Sequence, residues 1–367
     1  MSRLAELIEE LCPDGVEYRP LNELVRIRNG CDYKTLSPGN VPVYGSGGVM
    51  THVSEALGEG PTVLIPRKGS LDNIFFVEGK FWTVDTIFYT EIASDLDPKF
   101  FYYKMKTMHL SQMNEAAGVP SMNQRILGRI QIPVPPLEVQ REIVRILDQF
   151  TTLEAELEAE LEARRTQYEH YRNHLLSYES LAARGPVEMV KLVDMLDMRA
   201  GNAISSKYIF EQSDSEHIYP CYGANGVRGY VQSMTHEHDA SIIGRQGALC
   251  GNVTYAYGPF FATEHAVVVS PRVELSQRWL YHALIVANLS QYATKSAQPG
   301  LSVRRVAEVE IPVPRLSEQY RIAELLDRFD ALANDISSGL PAEIAARRTQ
   351  YEHYRDRLLS FPEKHAD

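Results

Sequence analysis

Ala163-Arg164-Arg165-Thr166-Gln167-Tyr168-Glu169-His170-Tyr171-Arg172 is written a second time, letter for letter, at Ala346–Arg355. Ten identical residues at a separation of 183 are not chance, and the match extends on both sides. Leu175-Leu176-Ser177 returns as Leu358-Leu359-Ser360, and Ile132-Pro133-Val134-Pro135 returns as Ile311-Pro312-Val313-Pro314. Between these landmarks Gln140, Leu147, Asp148 and Phe150 have counterparts in Gln319, Leu326, Asp327 and Phe329. Further upstream the echo is fainter. Tyr44-Gly45-Ser46-Gly47-Gly48-Val49 resembles Tyr222-Gly223-Ala224-Asn225-Gly226-Val227, and Ile65-Pro66-Arg67-Lys68-Gly69-Ser70 resembles Ile243-Gly244-Arg245-Gln246-Gly247-Ala248. A period near 180 residues is a tandem duplication of a whole domain with its connector, since solenoid repeats run at roughly 20–50. The connectors are nearly identical while the domains share only a skeleton, which implies two equal mounts carrying two different heads.

The connectors read as helices. Leu137 to Ser177 contains no Gly or Pro and is rich in Glu, Leu, Ala and Arg, all good helix formers. Ile143, Leu147, Phe150, Leu157, Leu161, Tyr168, Tyr171 and Leu175 fall on one stripe, with Glu154 and Arg164 as the polar members of its register. Alternating spacings of four and three are a heptad seam, and some 40 residues of helix span ~60 Å. The second copy begins the same way with Ile322, Leu326, Phe329, Ala333, Ile336 and Leu340, then meets Gly339 and Pro341. Proline removes a backbone donor and clashes with the preceding turn, so a break is expected near Ser338–Pro341. The register resumes with Ile344, Arg347, Tyr351, Tyr354 and Leu358. Two long helices packed as an antiparallel coiled coil are therefore expected. At the start, Leu4–Leu11 is amphipathic, and Cys12-Pro13-Asp14-Gly15 forces a turn; it is expected beside the C-terminal helix.

The heads read as α+β. Short strand-like runs bounded by Gly, Pro and Asn include Thr62–Ile65, Ile74–Val77 and Ile87–Thr90, then Ser241–Ile243, Val253–Tyr255 and Ala266–Val269. Helical stretches follow at Pro98–Asn114 and Gln277–Thr294. The expected organisation is an N-terminal helix (1–15), a first head (16–135), a first connector helix (136–180), a second head (181–314) and a second connector helix (315–367) kinked near Gly339–Pro341. The whole would be pseudo-twofold symmetric.

The head loops carry the chemistry of recognition. Tyr44 and Ser46 flank a glycine-rich turn that lets backbone approach a ligand. Arg67, Lys68 and Ser70 offer two cations and a hydroxyl, and Ser121, Asn123, Gln124 and Arg125 offer a hydroxyl, amides and a guanidinium. Amides pair bidentately with adenine and guanidinium with guanine. The second head offers Tyr222, Asn225, Arg228, Arg245, Gln246, Ser302, Arg304 and Arg305 at matching places.

Composition narrows the classes. Net charge is −11, which by itself disfavours nucleic acid, but position matters more than the total. Residues 16–135 hold 12 basic and 12 acidic side chains and residues 187–314 hold 10 and 12, so most of the excess acid lies in the connectors and the N-terminal stretch. Cys12, Cys31, Cys221 and Cys250 are too scattered for a zinc site or a disulfide framework. No G-x-x-x-x-G-K-[ST] loop, G-x-G-x-x-G turn or Asn-Pro-Pro-Tyr run is present, so no catalytic or cofactor site is expected in this chain. Asp72 with Glu78-Gly79-Lys80 faintly resembles a nuclease signature, and His236-Glu237-His238-Asp239 has metal-ligand types. Neither recurs in the other copy, and surface roles are the expectation. No apolar run approaches the ~20 residues of a membrane span, and Glu6, Glu9 and Glu10 stand where a secretory signal would be apolar. A cytoplasmic location is expected.

Two weakly similar heads, each followed by Ile-Pro-Val-Pro, a Leu-x-x-Gln helix start and a helix ending Arg-Arg-Thr-Gln-Tyr-Glu-x-Tyr-Arg-x-x-Leu-Leu-Ser, resemble the specificity subunit of type I restriction–modification enzymes. The resemblance covers essentially the whole chain and is most specific at Pro133–Gln140 with Pro312–Gln319 and Arg164–Ser177 with Arg347–Ser360. The chain departs from it in the Gly339–Pro341 interruption and in Val139, where the second copy has Glu318. The resemblance implies that each head is a target recognition domain reading half of a bipartite duplex. It implies that the coiled coil sets their spacing and docks two modification subunits. Those partners would bind S-adenosylmethionine and methylate adenine N6, and restriction subunits would use ATP and magnesium. The alternative is a non-DNA coiled-coil scaffold presenting two ligand-binding heads.

Overall fold

The computed structural model describes residues 3–113, 120–294, 299–334 and 339–364. In chain order the first part holds α1 (Arg3–Leu11), β1 (Tyr18–Pro20), α2 (Leu21–Leu24), β2 (Val25–Asn29), β3 (Pro38–Gly45), β4 (Gly48–Val53) and β5 (Gly58–Glu59). It continues with β6 (Thr62–Pro66), β7 (Phe75–Val77), β8 (Lys80–Thr83), β9 (Ile87–Ile92), α3 (Pro98–Lys106), α4 (Gln124–Gly128) and β10 (Gln131–Pro133). The long helix α5 (Leu137–Leu175) leads to α6 (Tyr178–Ala182), β11 (Val187–Lys191), α7 (Leu192–Met195), β12 (Leu196–Ala200), β13 (Tyr219–Gly223) and β14 (Gly226–Val231). Then come β15 (Ala240–Gly244), β16 (Val253–Ala256), β17 (Phe261–Ala262), β18 (Ala266–Pro271), α8 (Gln277–Val286), α9 (Val303–Ala307) and β19 (Glu310–Pro314). Two helices close the chain, α10 (Leu316–Asn334) and α11 (Leu340–Leu358). These elements form two compact units, residues 1–158 with 344–367 and residues 159–343.

In unit 1 one sheet has the order β2-β9-β6-β7, and a second has the order β4-β3-β8-β5 with β3 and β8 parallel. The central strand β6 is buried along its whole length. Side chains alternate across a strand, so Val63 and Ile65 enter the core shared with α3, α4 and the start of α5, while Leu64 joins Val77, Phe81 and Ile87 on the other face. This is why Thr62–Pro66 reads as an unbroken apolar run. Unit 2 repeats the plan with β12-β18-β15-β16 and β14-β13-β17, again with one parallel pair, β13 and β17. There Ile243 faces the helix-backed core and Ile242 the opposite face.

The helices that back each sheet are shorter than the expected Pro98–Asn114 and Gln277–Thr294. Asp97 caps α3 by accepting from Lys99 N and Phe100 N at 2.9 and 3.0 Å, and Ser276 caps α8 by accepting from Trp279 N. Each helix is then cut by a left-handed residue, His109 at φ 44° and Asn288 at φ 46°, before a single 3₁₀ turn. Asn114 lies outside the described residues.

The same glutamine joins each head to its connector. Gln140 accepts from Asp97 N at 2.7 Å and donates to the carbonyls of Pro135 and Asp95. Gln319 accepts from Ser276 N at 3.0 Å and donates to Pro314 O at 2.9 Å. Beside them, Asp148 holds Lys99 and the Tyr103 hydroxyl, and Asp327 holds Arg278 and His282.

Helix packing within each unit is antiparallel. In unit 1 Phe150 stacks on Tyr354 at 5.8 Å and meets Tyr351 at 6.2 Å, while Glu154 and Glu158, further along α5, pair with the earlier Arg348. In unit 2 Tyr171 stacks on Phe329 at 5.9 Å, the same aromatic pair in its second copy. Seam residues Ile143, Leu147, Tyr168, Ile322 and Leu326 are buried, whereas Phe150, Leu157, Leu161, Leu175, Phe329, Tyr351 and Leu358 are half-buried and Tyr171 and Tyr354 exposed. Ile336 lies outside the described residues. The first connector is the single continuous helix expected, and a short helix follows it where Ser177 caps α6 by accepting from Ser180 N. In the second connector α10 ends at Asn334 and α11 opens at Leu340. Pro341 there sits in the first turn, where a missing N–H removes no helical hydrogen bond. Leu4, Leu7 and Ile8 of α1 share the unit 1 core with Leu358, Leu359 and Phe361.

Candidate nucleic-acid interface

In unit 1 four segments converge at one end of the head. The hairpin β3–β4 turns at Ser46–Gly47 and needs Gly48 at φ +116°, a conformation that costs other residues energy. The loop after β6 is held from two sides: Arg67 N donates to Thr86 O, and Arg67 O accepts from Met122 N, both at 2.8 Å. Gly69 N donates to Pro120 O at 3.0 Å, and Lys68 bridges to Ser121. Asn73 Nδ2 donates to Ser46 O at 3.1 Å, which ties this loop to the hairpin. Beside this junction lies an open cleft of about 800 Å³ between the hairpin, residues 32–34 and residues 84–86, with Tyr33, Lys34, Ser46, Met50, Asp85 and Thr86 in its wall.

Unit 2 builds the same junction from different side chains. Arg245 N donates to His265 O at 3.0 Å, and Arg245 O accepts from Leu301 N at 2.8 Å. Gly247 N donates to Pro299 O at 3.0 Å, and Gln246 bridges to Gly300. The hairpin β13–β14 turns at Ala224–Asn225 with Gly226 at φ +99°. The cleft here is about 650 Å³, lined by Asn225, Val227, Arg228, Gln246 and His265 among others.

The expected contact residues sort into three groups. Ser46, Asn225, Arg228 and Gln246 line the clefts. Lys68, Ser70, Ser121, Gln124, Arg125, Ser302, Arg304 and Arg305 are exposed around them. Arg125 and Arg304 stand at equivalent points of α4 and α9. The third group has structural work. Asn123 Oδ1 caps α4 by accepting from Ile126 N at 2.9 Å. The Arg67 guanidinium lies over the Phe88 ring at 5.7 Å, and Tyr44 packs on Phe75. Arg245 is half-buried, and it is its backbone that ties the loop, to His265 O and Leu301 N. Tyr222 is 6% exposed, edge-on to Phe260, with burial pushing its phenol pKa up, so it supports the hairpin from beneath.

Residues that sequence reasoning missed are Tyr33, Lys34, Met50, Asp85, Thr86, Val227 and His265. The signal available for Met50 was its equivalence to Arg228 in the repeat. Outside the clefts, His236 stacks on Phe260, and burial holds its imidazole below the usual range. Asp239 accepts from Tyr255 OH and Gly258 N. Asp72 accepts from Ser111 N.

The model of the "type I restriction modification DNA specificity domain" matches residues 13–163 and again 185–346. The chain is 48% identical over 258 residues to the type I restriction enzyme EcoprrI specificity subunit of Escherichia coli, covering 67% of this chain and 64% of that relative. It is 35% identical over 295 residues to the EcoR124I/EcoR124II specificity subunit of Escherichia coli, covering 72% and 71%. Its fold is similar to the crystal structure of a type I restriction–modification S subunit from M. genitalium, with TM-score 0.60 and 17% identity over 94% of this chain and 96% of that one. Among the described residues no helix is long and apolar enough to cross a membrane.

Proposed function

We propose a function on one premise: the chain belongs to the type I restriction modification DNA specificity family, whose domain it carries twice. It is the DNA sequence-specificity subunit of a type I restriction–modification complex. Each head reads one half of a bipartite duplex target. The observation that carries this reading is the loop junction tied by the same backbone hydrogen bonds in each head, with a cleft beside it that is walled by different side chains. A shared frame fixes where a base edge arrives, and the side chains decide which base is accepted. The family gives no support to the non-DNA scaffold alternative.

The finer assignments rest on the same premise. Phosphates are held by the exposed cations around the clefts, namely Lys68, Arg125, Arg304 and Arg305. The connector helices dock two modification subunits, which supply S-adenosylmethionine and methylate adenine. Restriction subunits supply ATP and magnesium chemistry. The chain itself is the non-catalytic reader, working in the cytoplasm.

The test is methylation mapping of a host carrying this chain with its modification subunits. Exchange of residues 16–135 for another head is expected to change one half of the recognised sequence and leave the other intact. Altered methylation in both halves, or salt-insensitive binding to duplex DNA, would count against two independent readers.

A further inference from the structure

The two clefts differ at one matched point that is seated in the same way in both. In each head the glycine that ends the first hairpin strand makes a flat seat for a side chain on the second strand. A Cβ at Gly45 would stand 2.6 Å from the Met50 sulfur, and a Cβ at Gly223 would stand 2.5 Å from Arg228 Cδ. The seat is therefore the same, and its occupant is a thioether in one head and a guanidinium in the other. Arg228 shares its cleft wall with two neutral amides, Asn225 on the turn and Gln246 on the adjacent loop, and with His265. Their counterparts in the first head are Gly47 and Lys68.

We infer that Arg228 is a specificity-determining residue that reads a guanine in the half-site of the second head, and that the first head, with Met50 in that seat, makes no such reading. Three features carry this. Arg228 is exposed at the cleft and makes no ion pair among the described residues, so its fork is available. Its stem lies on Gly223, which limits the rotamer freedom lost on binding. It shares its cleft with amides suited to base edges, and a guanidinium matches guanine O6 and N7 bidentately. A phosphate anchor needs none of that company. The inference rests on the proposed DNA reading and names one base contact within it.

The experiment uses the full chain assembled with its modification subunits and a duplex library randomised across both half-sites. The wild-type complex is expected to select a guanine at one position of the second half-site. Arg228→Lys keeps the charge but loses the fork. It is expected to hold total binding within a few-fold while discrimination at that single position falls roughly ten- to hundred-fold. Arg228→Met, the residue of the matched seat, is expected to relax the same position. Gly223→Ala, which unseats the side chain, is expected to do so too. Assembly with the modification subunits reports that each variant folds. A uniform loss of binding with an unchanged base profile would make Arg228 a phosphate contact and overturn the inference while leaving the two-reader function standing. So would a changed position in the first half-site, or no guanine in the second. A wild-type complex selecting no bipartite sequence would overturn both.

Discussion

The Asp327 carboxylate sits between Arg278 Nε at 2.9 Å and His282 Nε2 at 2.8 Å, with the Tyr168 hydroxyl 3.3 Å from the other nitrogen of the same imidazole. Burial works to raise its pKa, but hydrogen bonds from His282 and Arg278 outweigh it and hold the group below the ordinary carboxylate range. A depressed folded-state pKa contributes stability at pH values above the unfolded value, near 4, and that contribution is lost as the pH falls through the folded value. Unit 2 is therefore expected to lose stability below about pH 4, and Asp327→Asn to flatten that part of the profile. Stepwise acid titration followed by circular dichroism checks it, and a variant with the wild-type acid limb would refute it. The Asp327 contact was half legible in the sequence. Its recurrence as Asp148 marked the position, but its partners Arg278 and His282 lie 49 and 45 residues away and carry no shared motif. Asn123 and Tyr222 show the opposite case. Their types suit base contacts, yet one is spent on a helix cap and the other turns inward. Which way a hairpin residue points follows from register, and the register of β13 shifts between Cys221 and Tyr222.

At the scale of elements, α5 is fastened at its ends. Leu147 is fully buried in the unit 1 core and Tyr168 and Leu176 in that of unit 2, whereas residues 151–167 contain no buried position. Helix propensity and exposed pairs such as Glu160 with Arg164 sustain the middle. Leu147→Ala is expected to cost about 2–5 kcal/mol. Leu153→Ala, at a residue 53% exposed, is expected to cost less than about 0.5 kcal/mol. Urea unfolding of the two variants measures the contrast, and similar midpoints would show that the middle of the helix is packed more tightly than its exposure implies. The heptad made this helix legible before any coordinates. The sheets were not legible to the same degree. Strand runs could be read from their apolar content, but the orders β2-β9-β6-β7 and β4-β3-β8-β5 join segments far apart in the chain. A parallel pair such as β3 with β8 leaves no turn signal between its strands.

At the scale of the whole molecule, the duplication implies a ruler. α5 is a single helix of 39 residues that leaves unit 1 and arrives in unit 2, and the chain returns through α10 and α11. If spacing between half-sites is a property of these helices, changing their length without changing their faces must change the spacing alone. Seven residues make two turns to within about 20°, so removing one heptad from α5 and one from the return path keeps the seam in register. It shortens each rod by about 10 Å. At 3.4 Å per base pair that is a spacer shorter by up to about three base pairs, with both half-site sequences retained because the clefts are untouched. Methylation mapping of the paired deletion reads this directly. A spacer identical to that of the wild type would show that the distance is set by the modification subunits, and altered half-sites would show that the heads had been disturbed. A deletion in α5 alone sharpens the case. With the return path at full length, the unit 1 pairs Phe150–Tyr354 and Glu154–Arg348 and the unit 2 pair Tyr171–Phe329 cannot all be kept, so it is expected to impair assembly rather than shift the spacer.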